Sequence, residues 1–142
     1  MKFLVAVDGS PASARAVDLA IKFTTEWRQA SMILLNVQNL AMLGLTEGTG
    51  IMPAAWIEEE EEHSGEEALK GHVAACQAAG VHFTARSERG AAAATIEQIA
   101  REEKVDHIIM GTRGLGSIRG LLVGSVTTQV IHLVDVPVTL VK

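Results

Sequence analysis

Short apolar runs separated by longer amphipathic segments recur along the whole chain, and this alternation most narrows the folds open to it. FLVAV (3–7), MILLNV (32–37), VHFTAR (81–86), HIIM (107–110) and VPVTLV (136–141) read as strands, being rich in Val and Ile and bounded by turn residues. The first intervening helix starts at Ser10-Pro11, where Ser can cap free amides and Pro is preset for the first helical position. Ala14, Val17, Leu19, Ala20, Ile21 and Phe23 give it an apolar face. A second helix runs from about Ala54 through Ala79, a third from Ala91 to Glu103 with Ile96, Ile99 and Ala100 inward, and a fourth from about Gly124 to Val134. Helices between strands impose parallel pairing through right-handed crossovers. The expectation is an α/β fold: a doubly wound, three-layer, five-stranded parallel sheet with helices on both faces, its strand order taken as the common 3-2-1-4-5. With no internal repeat or linker, residues 1–142 are expected to form one domain.

Composition removes several function classes. A chain of 142 residues with 48% hydrophobic and 20% charged content can bury a continuous core. Its formal net charge of -5, with no basic stripe or arm, argues against nucleic acid as a partner. A lone Cys76 cannot build a disulfide framework, MKFLVAVDGS has no secretory-signal pattern, and no apolar run is long enough for a membrane span. A reducing, cytoplasmic setting is expected.

In open parallel sheets, ligands sit beyond the carboxyl ends of the strands where the strand order reverses. The segments expected there are DGS (8–10) and GTRGLGSIRGLLVGSV (111–126), which holds Gly111, Gly114, Gly116, Gly120 and Gly124. Glycines let amides approach phosphate oxygens, and a helix start adds orphan N–H groups with partial positive charge. Two familiar phosphate loops are excluded by spacing. Gly111 and Gly116 have P-loop separation, but Ser117-Ile118 stands where Lys followed by Ser or Thr is required. After Gly114-Leu115-Gly116 the next glycine, Gly120, comes one position too late for G-x-G-x-x-G.

What remains is G-x2-G-x9-G-S at Gly111, Gly114, Gly124 and Ser125, between an apolar strand and VTTQVI. With VDGS ending the first strand, HIIMGTRG and the closing VPVTLV, the chain resembles the universal stress protein family over essentially its whole length. Its glycine spacing is similar to that of the ATP-binding subgroup. The resemblance implies a Rossmann-like fold, an adenine nucleotide as partner and ATP as ligand, with Mg or Mn as an accompanying ion left open. Carried over by position, it implies that Ala6, Val7, Asp8 and the backbone around Val37 face the adenine and ribose, and that Met110 and Gly111 border the ribose. Gly114, Gly124, Ser125 and the amides of Val126 and Thr127 would surround the phosphates, with Arg113 as a clamp or a solvated cation. It also implies a homodimer joined through the last strand, residues 136–141.

Plainer readings stand beside these. The glycines could serve tight turns and close helix-sheet packing, and Asp8 could bond turn amides. Arg15 and Arg119 read as solvated cations. The acidic run Glu58 to Glu62 reads as a solvated face near a helix N-terminus. His63 and His72 lack partners at ligand spacing, His82 in a strand and His132 in a helix read as structural imidazoles, and Cys76 as a small core residue. The connection 38–53, with Gly44, Gly48, Gly50, Met42, Leu43 and Met52, suits a lid, a subunit contact or an insertion.

No nucleophile-base pair or phosphoryl-transfer set emerges, so no enzyme is expected, slow ATP hydrolysis aside. A phosphoacceptor receiver domain would need clustered acids after the first strand and an Asp ending the third, where this chain has Arg86-Ser87-Glu88. Two functions remain: a nucleotide-dependent stress-response regulator, or a dimeric interaction module of the same fold that binds no nucleotide.

Overall fold

The computed structural model of the chain describes residues 1–38, 54–114 and 123–142, with the backbone alone over 54–64. Gly116, Gly120, Arg119 and nearly all of the 38–53 connection lie outside the described residues, as do the side chains of Glu58 to Glu62 and His63.

Five strands, β1 (Lys2–Ala6), β2 (Ser31–Gln38), β3 (Phe83–Arg89), β4 (His107–Gly111) and β5 (Val138–Val141), form one parallel sheet in the order β3-β2-β1-β4-β5. The helices are α1 (Pro11–Glu26), α2 (Ala54–Ala79), α3 (Ala92–Glu102) and α4 (Ser125–Leu133). Side chains alternate across a strand, so each inner strand feeds two cores and must be apolar on both faces. Phe3, Val5, Met32, Leu34 and Ile109 pack with Ala16, Val17 and Ala20 of α1 and Leu69 and Cys76 of α2. Leu4, Ile33, Leu35, Ile108 and Met110 pack with Ile96, Ile99 and Ala100 of α3 and Val130 of α4. The expected architecture and strand order are what the chain adopts.

α1 starts as expected, and other element ends depart from expectation for identifiable reasons. Ser10 caps α1 by accepting from the Ser13 N–H at 3.2 Å, with Pro11 in the first turn. The buried stripe of α1 is Ala12, Ser13, Ala16, Val17, Ala20 and Thr24, with Leu19, Ile21 and Phe23 at its margins; small residues let the helix lie close to the sheet. β3 starts two positions later than its apolar run, because Gly80 (φ 65) closes α2 and the Val81 N–H turns back to the Cys76 carbonyl at 3.3 Å. His82 therefore precedes the strand and is exposed, as is His132 on α4. β3 then follows β2 out to Gln38↔Arg89, past the apolar residues. β5 begins after Pro137, which accepts from the Ile108 N–H at 2.9 Å but has no N–H to donate.

Candidate functional site

β1 leaves the sheet after its carboxyl end through a turn organised by Asp8. Its Oδ1 accepts from the Ser10 N–H at 3.0 Å, and Gly9 takes φ 80 between them, a conformation that favours glycine. The Ser10 hydroxyl reaches the Arg113 carbonyl at 3.4 Å, so the β1–α1 turn is tied to the loop leaving β4. Gly114 lies against the same aspartate, and a Cβ there would overlap Asp8 Oδ2.

The glycines of the motif have different local reasons. At Gly111 a Cβ would meet Ala12 Cβ at 2.9 Å and backbone atoms of Ala12 and Ser13 at 3.1 Å, so its bareness serves the packing of β4 on α1. Gly124 is the N-cap of α4 with φ -74, and a Cβ there meets nothing nearer than 3.5 Å. Neither backbone conformation nor packing among the described residues requires glycine at 124. Its N–H is already committed to the Thr112 carbonyl at 2.7 Å, which removes it as a phosphate donor.

The N-cap residue Gly124 offers no side chain to cap α4. Among the described residues the N–H groups of Ser125, Val126 and Thr127 therefore lack acceptors at the positive end of the helix dipole. The α1 N-terminus, by contrast, is closed by Ser10. Thr127 is buried and its hydroxyl donates to the Gly111 carbonyl at 3.1 Å, while Ser125 is exposed with its hydroxyl uncommitted among the described residues.

These groups meet in a cavity of about 380 Å³ beyond the carboxyl ends of β1, β2 and β4. Every residue expected at the site lines it: Ala6, Val7, Asp8, Val37, Met110, Gly111, Arg113, Gly114, Gly124, Ser125, Val126 and Thr127. Four lining residues, Ser13, Leu35, Ala92 and Ile96, were not anticipated. Leu35 was legible as the residue two before Val37 on one strand face, and Ala92 and Ile96 as an i,i+4 pair at the start of the third helix. Leu35, Val37, Ile96 and Met110 make an apolar wall continuous with the α3/α4 core, whereas the polar side comes from the β1–α1 turn and the α4 N-terminus. Asp8 is the sole acidic and Arg113 the sole basic side chain among the described lining residues. Among the described residues no three His, Cys, Asp or Glu side chains cluster as a metal site.

Such a cleft at the strand-order reversal is the ligand position of doubly wound α/β proteins. The chain belongs to the universal stress protein family, whose model matches residues 1–142. It is 34% identical to universal stress protein YxiE of Bacillus subtilis, covering 99% of this chain and 98% of that protein. Among solved structures it is similar to hypothetical protein MJ0577 at 26% identity and TM-score 0.86, over 99% of this chain and 94% of that one. An Archaeoglobus fulgidus universal stress protein in complex with dAMP shares the fold at TM-score 0.72 and 21% identity, over 100% and 98% of the two chains. Family structures with cAMP (TM-score 0.69, 24% identity, 100% and 96%) and, from Arabidopsis thaliana, with AMP (0.69, 22%, 100% and 91%) share it too.

Proposed function

We propose that this chain binds ATP in the cleft beyond β1 and β4, and that occupancy of the cleft rather than turnover carries a stress-response signal. Gly124 is the observation that carries the reading: neither a clash nor an unusual φ requires glycine there, and beside it three helix amides have no acceptor among the described residues. An anion bound there gains N–H donors and a favourable dipole with no Cβ in its way. The apolar wall suits a base, and Val37 brings a strand backbone to it. The dAMP, cAMP and AMP complexes of family members support an adenine nucleotide.

In this reading Ser125, Val126 and Thr127 give backbone donors to phosphate, Ser125 adds its hydroxyl, and Gly114 and Gly124 give clearance. Asp8 faces the ribose, and its single carboxylate fits a Mg or Mn ion held chiefly by phosphate oxygens. Arg113, exposed at the rim, is free to approach the phosphates. The chain is further proposed to act as a homodimer through β5. Equilibrium binding of ATP with Mg²⁺, using GTP as competitor, tests the reading. Saturable ATP binding that GTP competes for weakly is expected; no detectable ATP binding at millimolar concentration would overturn it.

A further inference from the structure

The β1–β2 ladder stops one rung early, and a side chain occupies the next acceptor. Residues of an inner parallel strand aim their backbone groups alternately at the two neighbouring strands. On β2, Met32 donates to the His82 carbonyl and Gln38 accepts from the Gly90 N–H, so even-numbered residues face β3. Ser31 donates to the Met1 carbonyl and Leu35 accepts from the Val7 N–H at 2.8 Å, so odd-numbered residues face β1. The next rung would run from the Val37 N–H to the Val7 carbonyl. Among the described residues it is not formed: the Val7 carbonyl accepts from Asn36 Nδ2 at 2.8 Å instead.

Asn36 is buried and held from its other end, its Oδ1 accepting from Gln38 Nε2 at 2.7 Å. A carbonyl can only accept, so the Val7 contact fixes which end of the amide points at it. The chain has turned away from β2 at Asp8, so the Val37 N–H and C=O have no backbone partner among the described residues, and Val37 lines the cavity with Leu35 and Met110.

We propose that Asn36 is a positioning residue for base recognition: by occupying the Val7 carbonyl it keeps the Val37 N–H free to donate to a ring nitrogen of the bound base. This rests on the nucleotide reading above. A donor N–H beside an acceptor C=O matches the adenine edge, whose N1 accepts and whose 6-amino group donates. It opposes the guanine edge, where these roles are reversed. Without Asn36 the Val7 carbonyl would draw in the Val37 N–H, adding a rung to the sheet and removing the donor from the ligand.

The experiment compares ATP with 1-deaza-ATP, which lacks the N1 acceptor, in wild type and in Asn36→Leu. Wild type should prefer ATP by about tenfold, the worth of one neutral hydrogen bond. Asn36→Leu should bind ATP about tenfold more weakly and lose that preference. A structural role alone would weaken both ligands together and keep their ratio, and that outcome overturns the proposal. Amide hydrogen exchange without nucleotide provides a measurement that needs no variant. Val37 should exchange far faster than Leu35, and equal protection of the two overturns the proposal even if Asn36→Leu fails to fold. Wild type that binds ATP without preferring it defeats the Asn36 role and leaves the nucleotide reading intact, whereas wild type that binds no ATP defeats both.

Discussion

The Thr127 hydroxyl, in the first turn of α4, donates to the Gly111 carbonyl at the end of β4 across 3.1 Å, binding the helix start to the strand that precedes it. Both residues were expected around a ligand, yet this contact makes the Thr127 side chain part of the frame and leaves its amide for the cavity. Thr127→Val keeps the shape and strands a buried acceptor, which should cost about 1–3 kcal/mol. Ser125→Ala, at an exposed position, should change stability by less than about 0.5 kcal/mol while weakening ATP binding. Chemical denaturation and ligand titration of the two variants check the division; equal stability losses would contradict it.

Gly111 and Gly124 should fail in opposite ways. Gly111→Ala drives a methyl into the Ala12 and Ser13 backbone and should lower the melting temperature by several degrees. Gly124→Val, at a position with an ordinary φ where a Cβ makes only ordinary contacts, should melt close to wild type but bind ATP at least about tenfold more weakly. Unchanged affinity in a folded Gly124→Val protein would count against phosphate at that corner.

Turnover should be slow. Among the described cavity residues there is one carboxylate and one guanidinium, Asp8 and Arg113, and no Lys or His, so charge stabilisation and proton transfer are poorly provided. Steady-state hydrolysis should fall far below a median enzyme's rate of about 10 per second. A rate near that value, abolished by Asp8→Asn, would show chemistry rather than occupancy.

The free edge of β5 should pair with a second copy. Ladder parity identifies its outward groups. Pro137 and Val141 accept from Ile108 and Thr112 of the β4 side, so Thr139 faces β4 too, and Val138 and Leu140 face out. Thr139 also bonds His107 across the two strands at 2.8 Å. Replacing Thr139 by Pro would thus damage the sheet itself, whereas Leu140→Pro removes an outward N–H and should shift a dimer toward monomer. Sedimentation at micromolar concentration reads the outcome, and a monomeric wild type would defeat the pairing.

Burial pushes the Cys76 thiol above its ordinary pKa of 9.0. The folded chain holds that proton after the unfolded chain begins to lose it, so the associated stability is complete below the unfolded value and declines as pH rises through and above it. The chain has no Tyr to add a competing titration. Denaturation between about pH 8 and pH 10 should show a decline that Cys76→Ala lacks, and thiol reagents should label the folded protein slowly.

Periodicity alone carried the sheet. Strands buried on both faces are mainly apolar, so LVA, ILL and HIIM were legible as strands, whereas their order was taken as the common one of doubly wound sheets and is the one the chain adopts. The position of the cleft followed, because glycines and a small acid gathered on segments leaving the first and fourth strands. Tertiary structure decided what those residues touch. Gly111, Gly114 and Gly124 look alike in a string, but Ala12 and Asp8, the neighbours of the first two, come from across the fold, so only packing separates a glycine pressed against α1 from one whose Cβ would make ordinary contacts. The β3 and β5 ends, the commitment of the Gly124 amide to Thr112, and the contact of the Asn36 amide with the Val7 carbonyl are likewise set by partners outside the local pattern. Local pattern fixes which face a residue turns to; which hydrogen-bonding group it meets there depends on strand register and on where the neighbouring chain turns away.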